Sequence, residues 1–334
     1  MDNPANSPLA SSLLMAALEG PSLTDKEREC FKRVRPAGVT LFKRNLAQSP
    51  SQIRSLIKDI QATRAKGAPP LLIAIDQEGG RVSCLSDVVD LGPPMELFPG
   101  VSEGSLSSLK DYGFKLGSAL KELGINLNFA PVLDVLSRES NLAIGDRSFS
   151  RDPKEAHLRA GAFLHGMQKA GIYGCLKHFP GQGDAPGDTH LDSFSIDASW
   201  ETLQNRELVP FMALLKDCPF VMSSHCVYES LSDKPASLSK EVLKDLLRDR
   251  LGYEGLVVSD DMNMKAIPQS SEGFSQAISS SVLAGNDLIL VCQGLSRIEM
   301  AAEALCALAQ REPLFQEIVT QKAAKILAIR KTLG

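Results

Sequence analysis

Eight short apolar runs alternate with amphipathic stretches along the 334-residue chain, and this alternation constrains the fold more than any other feature. Continuous apolar runs of five or six residues are typical of parallel strands that are buried on both faces of a sheet. Amphipathic stretches between such strands are typical of βα units. The predicted strands cover residues 13–18, 38–42, 71–75, 126–130, 172–176, 220–224, 255–259 and 287–291.

Proline and glycine mark where the intervening helices begin and end. Ser49 followed by Pro50 predicts a helix start, because serine caps helices and proline is favoured at the first helical position. Four further helices are each predicted to end at a glycine, the residue most often found just after a helix. The predicted helices cover residues 106–123, 153–170, 240–251, 274–284, 296–310 and 314–333.

Eight strands, each followed by a helix or a long loop, predict an α/β fold that is a single (β/α)8 TIM barrel. We expect residues 1–334 to form one barrel domain, with the C-terminal helices packed on the barrel and the active site at the C-terminal rim of the strands. An open doubly wound sheet is the alternative, and it would favour a glycine-rich phosphate turn after the first strand. Residues 18–22 read LEGPS, which is no such turn.

Composition excludes several classes of partner. The formal net charge is −4 and no basic run occurs, so we expect no nucleic-acid partner. The seven cysteines form no C-x-x-C pair and are interpreted as reduced thiols of a cytoplasmic protein. Residues 1–4 carry no basic signal region, and the apolar run 13–18 is too short to cross a bilayer, so we expect neither export nor a membrane partner.

Polar side chains stand at the ends of five predicted strands. Because the carboxyl ends of barrel strands meet at one rim, where active sites are built, we expect these side chains to lie together. A charged residue after one strand is usually an ordinary loop residue, but five such strands favour a site. The residues are Asp76, Asp134, the pair Lys177 and His178, His225, and the pair Asp260 and Asp261.

The histidines offer a weak metal hypothesis. His178, His190 and His225 could together bind zinc, but the chain lacks a compact ligand pair such as H-x-x-x-H. His157 and His165 fall on one predicted helix and are interpreted as packing or surface groups. We therefore expect no metal and no cofactor.

The segment 177–190 is the strongest local signal. It reads KHFPGQGDAPGDTH, and its three glycines and two prolines predict a loop. Asp188 stands two residues before His190, and a nearby carboxylate can orient an imidazole and support its protonated form. The pair suits a general acid and base near neutral pH. From the loop alone, a solvated acidic turn with an incidental histidine stays open as an alternative.

Five segments together resemble family 3 glycoside hydrolases of the β-N-acetylglucosaminidase (NagZ-like) type. The loop resembles the family pattern K-H-F-P-G-x-G-x4-D-x-H, and residues 76–82 read DQEGGRV. Residues 130–135 read APVLDV, 144–149 read IGDRSF, and 258–262 resemble the nucleophile segment. The matches occur in family order from the third predicted strand to the seventh.

The resemblance implies a role for each site residue. Asp260 would be the nucleophile that attacks C1 of the sugar, and His190, partnered by Asp188, would protonate the leaving oxygen and then activate water. An oxocarbenium-like transition state is stabilised by such an anionic carboxylate, which also traps it covalently. The terminal sugar would be held by Asp76, Arg147, Lys177 and His178.

Other residues of these segments are interpreted less directly. His225 and Arg81 are further candidates for binding the sugar. His225 either lines the pocket or supports it, and Arg81 is read mainly as part of an internal ion-pair and hydrogen-bond set with Gln77 and Glu78. Asp134 and Asp261 are read as supporting residues. Two positions depart from relatives: Gln182 replaces a common histidine, and Cys84 replaces an arginine that some relatives direct at the sugar or its neighbour.

The predicted activity is that of an exo-acting, retaining β-N-acetylglucosaminidase. The resemblance implies a small-molecule carbohydrate substrate, an N-acetylglucosaminyl-anhydro-muropeptide of the recycled cell wall, and we expect a monomeric enzyme. Three alternatives stay open: a phosphorylase that uses phosphate as acceptor, a Schiff-base lyase on Lys177, and an inactive sugar-binding barrel.

Overall fold

The computed structural model describes residues 8–46, 49–85, 92–187 and 194–333, and within these ranges the fold is α/β. The strands are β1 Leu14–Ala17, β2 Gly38–Leu41, β3 Leu72–Ile75, β4 Gln77–Gly79, β5 Val82–Ser83, β6 Leu127–Asn128, β7 Leu176–Phe179, β8 Ser195–Ile196, β9 Phe220–Ser223, β10 Val227–Tyr228, β11 Leu256–Ser259 and β12 Ile289–Leu290.

Helices separate most of these strands. The α-helices are α1 Pro8–Ser11, α2 Asp25–Val34, α3 Pro50–Gln61, α4 Glu103–Leu123, α5 Pro153–Lys169, α6 Trp200–Thr202, α7 Leu208–Leu214, α8 Ser271–Ala284, α9 Leu295–Arg311 and α10 Pro313–Lys331. Wider π-helical turns span Leu203–Glu207 and Glu241–Arg250, and 3₁₀ turns span Lys43–Asn45, Gly145–Arg147 and Ala236–Leu238.

Two parallel sheets hold the eight principal strands. A curled five-stranded sheet has the order β12-β1-β2-β3-β6, and a three-stranded sheet has the order β11-β9-β7. Isolated parallel bridges also link the edges of the two sheets, Leu127 with Tyr173 and Val258 with Leu288. Apart from β12 and β1, which pair although they lie near opposite ends of the chain, each strand pairs with the principal strand that precedes or follows it in sequence, as successive βα units produce.

Each of the eight predicted strands has a counterpart in the structure, and one prediction was misplaced. The run 172–176 was predicted as a strand that ends before Lys177, whereas β7 is Leu176–Phe179 and includes Lys177 and His178. The strand continues through Lys177 and His178 because each of these side chains pairs with a carboxylate. These pairs offset the free-energy cost of burying polar groups in a sheet. A charged residue after an apolar run predicts the end of a strand, and the carboxylates that pair with Lys177 and His178 are too far away in sequence to be recognised as their partners.

The helix signals were confirmed where a capping residue is present. Ser49 accepts a hydrogen bond from the backbone N–H of Gln52 at the start of α3, and Gly124 ends α4 in the left-handed conformation. The helix predicted at 240–251 is present as Glu241–Arg250, and its turns are of the wider π type. Helix α2, with its Thr24 capping box, and the helical stretch 200–214 were not predicted.

Strands and surrounding helices share one apolar core. The side chains of β1, β2, β3, β9 and β11 are buried along their whole length, and α10 packs against α9 and α1. All seven cysteines are free thiols. Among the described residues, the helices are too short or too polar for any of them to traverse a lipid bilayer.

Candidate active site

Asp76 and Asp260 lie at the carboxyl ends of strands, and Lys177 lies within a strand. Asp76 directly follows β3, Lys177 is the second residue of β7, and Asp260 directly follows β11. Burial raises the pKa of the Cys292 thiol, and the carboxylates of Asp261, Asp76 and Asp260 raise it further. Strands β3 and β11 run in the same direction, and the parallel bridge between Val258 and Leu288 links β11 to the segment that leads into β12, so Asp76 and Asp260 stand at the same end of the sheets.

Glu78 connects two of the cations that were predicted to bind the sugar. Its carboxylate accepts hydrogen bonds from Nε and Nη2 of Arg147 at 2.7 and 2.8 Å, and it lies 2.6 Å from Nζ of Lys177. Lys177 also donates to Oδ1 of Asp76 at 2.7 Å. The four side chains form a row of alternating charge, Asp76–Lys177–Glu78–Arg147, in which Glu78 and Lys177 are almost fully buried.

The row of alternating charge keeps its members ionised. Burial alone would raise the pKa of Glu78, but the charges of Arg147 and Lys177 outweigh burial and hold it well below its usual range. Burial lowers the pKa of Lys177, yet Asp76 and Glu78 raise it by more, so the pKa lies above its usual value. An amine that forms a Schiff base must lose its proton first, so this charge state disfavours the lyase alternative.

Arg81 holds the turn that carries Arg147. It forms an ion pair with Asp146 at 2.8 Å and donates from Nη2 to the three backbone carbonyls of residues 142–144. Its side chain is about half exposed, at 45%. These bonds fasten the 3₁₀ turn Gly145–Arg147 to the β4–β5 hairpin, so Arg81 acts on the site through the backbone that positions Arg147.

Asp134 organises the start of the glycine-rich loop. One oxygen accepts from the His178 ring at Nδ1 (2.7 Å), and the other accepts from the backbone N–H groups of His178 and Gln182. Both His178 and Gln182 are buried, and the Gln182 amide oxygen accepts from the hydroxyl of Ser224. Gln182 therefore helps to support the loop.

Hydrogen bonds hold the backbone at Asp260 and at the residue that follows it. Its backbone N–H donates to the carbonyl of Ser223 in β9, and its Oδ1 accepts from the backbone N–H of Asp261 at 2.8 Å. His225 is fully buried, with Nδ1 2.6 Å from the hydroxyl of Ser237 and Nε2 3.1 Å from the carbonyl oxygen of Asp261. His225 thus braces the backbone that follows Asp260.

The next residue, Asp261, carries a carboxyl group whose pKa is raised above its usual value. Burial raises its pKa to about 6, although hydrogen bonds from the backbone N–H groups of Asn263 and Cys292 oppose this rise. The charge of Asp260 raises it further. Asp261 is therefore held by the β11 and β12 segments and titrates in mildly acidic solution.

The predicted general acid and base lie outside the described residues. Asp188 and His190 fall in the range 188–193, and the structure describes the loop only up to residue 187 and again from 194. Gly181, at the start of this loop, has a φ of +120°, and a Cβ there would lie 2.8 Å from Cβ of Glu207. The loop thus packs directly against the π-helical turn Leu203–Glu207.

The residues of this turn were not found from sequence. Arg206 donates to Oδ2 of Asp184 in the loop at 2.8 Å and also pairs with Glu207. Burial raises the pKa of Glu207 to about 7, and the charge of Arg206 opposes the rise. An adjacent arginine and glutamate in an amphipathic stretch carry no local signal, because their importance comes from a loop some twenty residues earlier in the chain.

Cys84 supplies no positive charge to the site. Burial and the charge of Asp76 raise the pKa of this thiol to about 12, although the backbone N–H of Lys43 donates to it. The group is neutral at physiological pH, unlike the arginine of some relatives. In the described ranges, no three His, Cys, Asp or Glu side chains gather as metal ligands.

Comparison with known proteins identifies the family of this chain. Residues 11–329 match the model described as Glycosyl hydrolase family 3 N terminal domain. A beta-hexosaminidase of Tolumonas auensis is 37% identical over 281 residues, which are 84% of this chain and 82% of the relative.

Solved structures agree with this match. NagZ from Neisseria gonorrhoeae in complex with N-trifluoroacetyl-D-glucosamine has a TM-score of 0.79 at 29% identity, over 94% of this chain and 98% of that one. A family 3 beta-N-acetylglucosaminidase from Paenibacillus sp. str. FPU-7 has a TM-score of 0.90 at 32% identity. That alignment covers 98% of this chain but 62% of the Paenibacillus chain, so this chain spans less than two thirds of that enzyme. Together, the family match and the identity to the relatives show that the chain belongs to glycosyl hydrolase family 3 and is a glycoside hydrolase.

Proposed function

We propose that the chain is an exo-acting, retaining β-N-acetylglucosaminidase that works through a covalent intermediate on Asp260. Relatives that carry the name beta-hexosaminidase, and solved neighbours named as N-acetylglucosaminidases, support this substrate class. The position of Asp260 carries the proposal, since this carboxylate directly follows β11 and stands at the same end of the parallel sheets as Asp76.

The chemistry requires two groups at one anomeric carbon. Asp260 attacks C1 as His190 gives its proton to the glycosidic oxygen, so the C1–O bond breaks and the aglycone leaves as an alcohol. His190 then takes a proton from water, the water oxygen attacks C1, and the bond to Asp260 breaks. We assign Asp188 the role of holding the His190 ring and stabilising its charged form.

The row of alternating charge is proposed to hold the terminal sugar. Asp76 accepts hydrogen bonds from sugar hydroxyls, while Lys177, Arg147 and His178 donate to hydroxyl and acetamido oxygens. Because Glu78 and Asp134 already fix these cations and the imidazole, their side chains need little reorganisation when the sugar binds. Arg81 and His225 act as supports for the site, not as contacts to the sugar.

The architecture proposed for residues 1–334 is one (β/α)8-barrel domain with the sugar site at its carboxyl rim. The isolated bridges at Leu127 and Val258 support closure, because each joins an edge of the five-stranded sheet to an edge of the three-stranded sheet. We further propose a monomer that works in the cytoplasm on N-acetylglucosaminyl-anhydro-muropeptides. Phosphorolysis is the alternative reaction at the same site.

Mass spectrometry tests the covalent step. After incubation with a fluorinated N-acetylglucosaminide inhibitor, the peptide that contains Asp260 should gain the mass of one fluorinated sugar. Asp260→Asn should abolish both the labelling and the turnover of an aryl β-N-acetylglucosaminide, whereas Asp261→Asn should still be labelled. Labelling of another residue, or near-normal turnover by folded Asp260→Asn, would refute the mechanism.

Product analysis separates the reactions and the substrates. Hydrolysis releases free N-acetylglucosamine at a rate independent of phosphate, whereas phosphorolysis yields a sugar 1-phosphate. A higher kcat/KM for an anhydro-muramyl disaccharide than for chitobiose is expected from the proposed substrate. Equal values would leave the enzyme a general exo-N-acetylglucosaminidase.

A further inference from the structure

A mainly apolar cavity of about 340 Å³ lies at the amino-terminal ends of the strands, opposite the end that carries Asp260. It is bordered by residues that precede β1, β2 and β3, by the connection between α3 and β3, and by one side of α10. Its volume is at the lower end of small-molecule pockets, which span roughly 300–1,000 Å³ and are mostly apolar. Its apolar wall includes Leu9, Phe31, Leu71, Ala323, Ile326 and Leu327.

Arg330 places a buried positive charge in this cavity. The residue is only 8% exposed, and its Nε and Nη2 donate to the backbone carbonyls of Pro70 and Pro69 at 2.8 and 2.7 Å. Burial lowers the pKa of Arg330, and the charge of Arg64 lowers it further. Arg64 and Arg330 both line this cavity, so two like charges face one space, and an anion bound there would reduce their repulsion.

Arg64 and Arg35 complete a set of three arginines on the cavity lining. The side chain of Arg64 donates to the carbonyls of Ala68 and Gln61, and Arg35 donates to the carbonyl of Lys32. Arg35 also has a φ of +54°, a conformation that is uncommon for a residue other than glycine. Within the described ranges, none of the three arginines forms an ion pair with a carboxylate.

We propose that this cavity binds a small amphiphilic carboxylate, such as a medium-chain fatty acid. The carboxylate would lie between Arg64 and Arg330, where it would pair with two guanidinium groups whose hydrogen-bond partners are neutral oxygens. The alkyl chain would lie on the apolar wall formed by the core-facing side of α10 and the residues before β3. Charge complementarity selects this ligand over a neutral amphiphile, and guanidinium groups bind carboxylates with two parallel hydrogen bonds.

The inference goes beyond the proposed glycosidase function and does not depend on it. Calorimetric titration with octanoate, and with octan-1-ol as the uncharged analogue, tests it directly. Octanoate should bind at least about tenfold more tightly, a difference of about 1.4 kcal/mol. Arg64→Gln and Arg330→Gln should each weaken octanoate binding by a similar factor. Arg54→Gln, which changes an exposed arginine of α3, should leave it unchanged.

Three outcomes would overturn the proposal: no octanoate binding, equal binding of acid and alcohol, or unchanged binding in folded Arg64→Gln. If Arg330→Gln fails to fold, Arg64→Gln alone decides. A variant that lacks residues 1–7 is a further test, because binding seen only in that variant would mean that the chain's own amino-terminal segment occupies the cavity. Aryl glycoside turnover in Arg64→Gln should equal that of the wild type, so the two proposals fail independently.

Discussion

The guanidinium of Arg147 and the carboxylate of Glu78 meet through two parallel hydrogen bonds of 2.7 and 2.8 Å, and both side chains are buried. The two residues are 69 positions apart in sequence. Because Glu78 also pairs with Lys177, one carboxylate fixes the positions of two cations that are proposed to contact the sugar. The geometry of the sugar site therefore depends on a residue that need not touch the sugar.

Replacing Glu78 tests this dependence. Glu78→Gln keeps the side-chain shape but leaves Arg147 without its countercharge, so we expect a loss of about 3 kcal/mol in unfolding free energy. The catalytic efficiency should fall by about 100-fold, mainly through KM, because misplaced donors weaken sugar binding. Urea unfolding and steady-state kinetics measure the two effects.

The matched control is Glu254→Gln, which changes an exposed glutamate. Its stability should remain within about 0.5 kcal/mol of the wild type. Glu78→Gln with wild-type kinetics and stability would contradict the positioning role.

Asp134 should govern the orientation of His178. The Asp134 carboxylate accepts hydrogen bonds from the His178 ring and from the backbone N–H groups of His178 and Gln182. Asp134→Asn removes the charge of this acceptor, so we expect the free energy of unfolding to fall by about 2 kcal/mol. KM should rise more than kcat falls, because the ring is proposed to bind the sugar. Asp111→Asn, on the exposed face of α4, provides the control. A fall in kcat alone would argue for a direct catalytic role of this histidine.

Asp261 should make stability depend on pH. Its pKa rises from about 3.9 in the unfolded chain to about 6 in the folded protein. The stability that it contributes is thus fully present below the unfolded value and is lost as the pH rises through about 6. Asp261→Asn removes this titration, so its stability relative to the wild type should increase between about pH 4 and pH 7. Urea unfolding across this range measures the difference, and a constant difference would contradict the assignment.

Gly183 should be intolerant of any side chain. A Cβ at this position would lie 1.7 Å from the backbone carbonyl oxygen of Val135, so Gly183→Ala should destabilise the protein by about 3 kcal/mol. Gly104→Ala is the contrasting variant, because Gly104 lies in α4 with nothing within 4 Å of the added carbon. It should stabilise the protein by at most about 1 kcal/mol. Equal unfolding midpoints for the two variants would show that the loop adapts to the added carbon.

Apolar runs and capping residues predicted the strands and helices whose positions depend on residues close together in sequence. Seven of the eight apolar runs contain a parallel strand where it was predicted, and helix α3 begins after Ser49 and helix α4 ends before Gly124 as expected. Strand β7 was misplaced because Lys177 and His178 read as the end of a strand. Their burial depends on Asp76, Glu78 and Asp134, which lie some 40 to 100 residues earlier in the chain.

The sequence by itself determined the order of the eight principal strands and of most helices, the family resemblance and the residue types available for chemistry. Apolar periodicity, capping and motif spacing are properties of nearby residues. Only the tertiary structure decided that Glu78 joins Arg147 to Lys177, that the turn with Arg206 and Glu207 supports the glycine-rich loop, and that Arg64 and Arg330 share a cavity. The physical reason is that an ion pair or a cavity is set by distances between segments remote in the chain, and those distances exist only once the sheets and helices have packed.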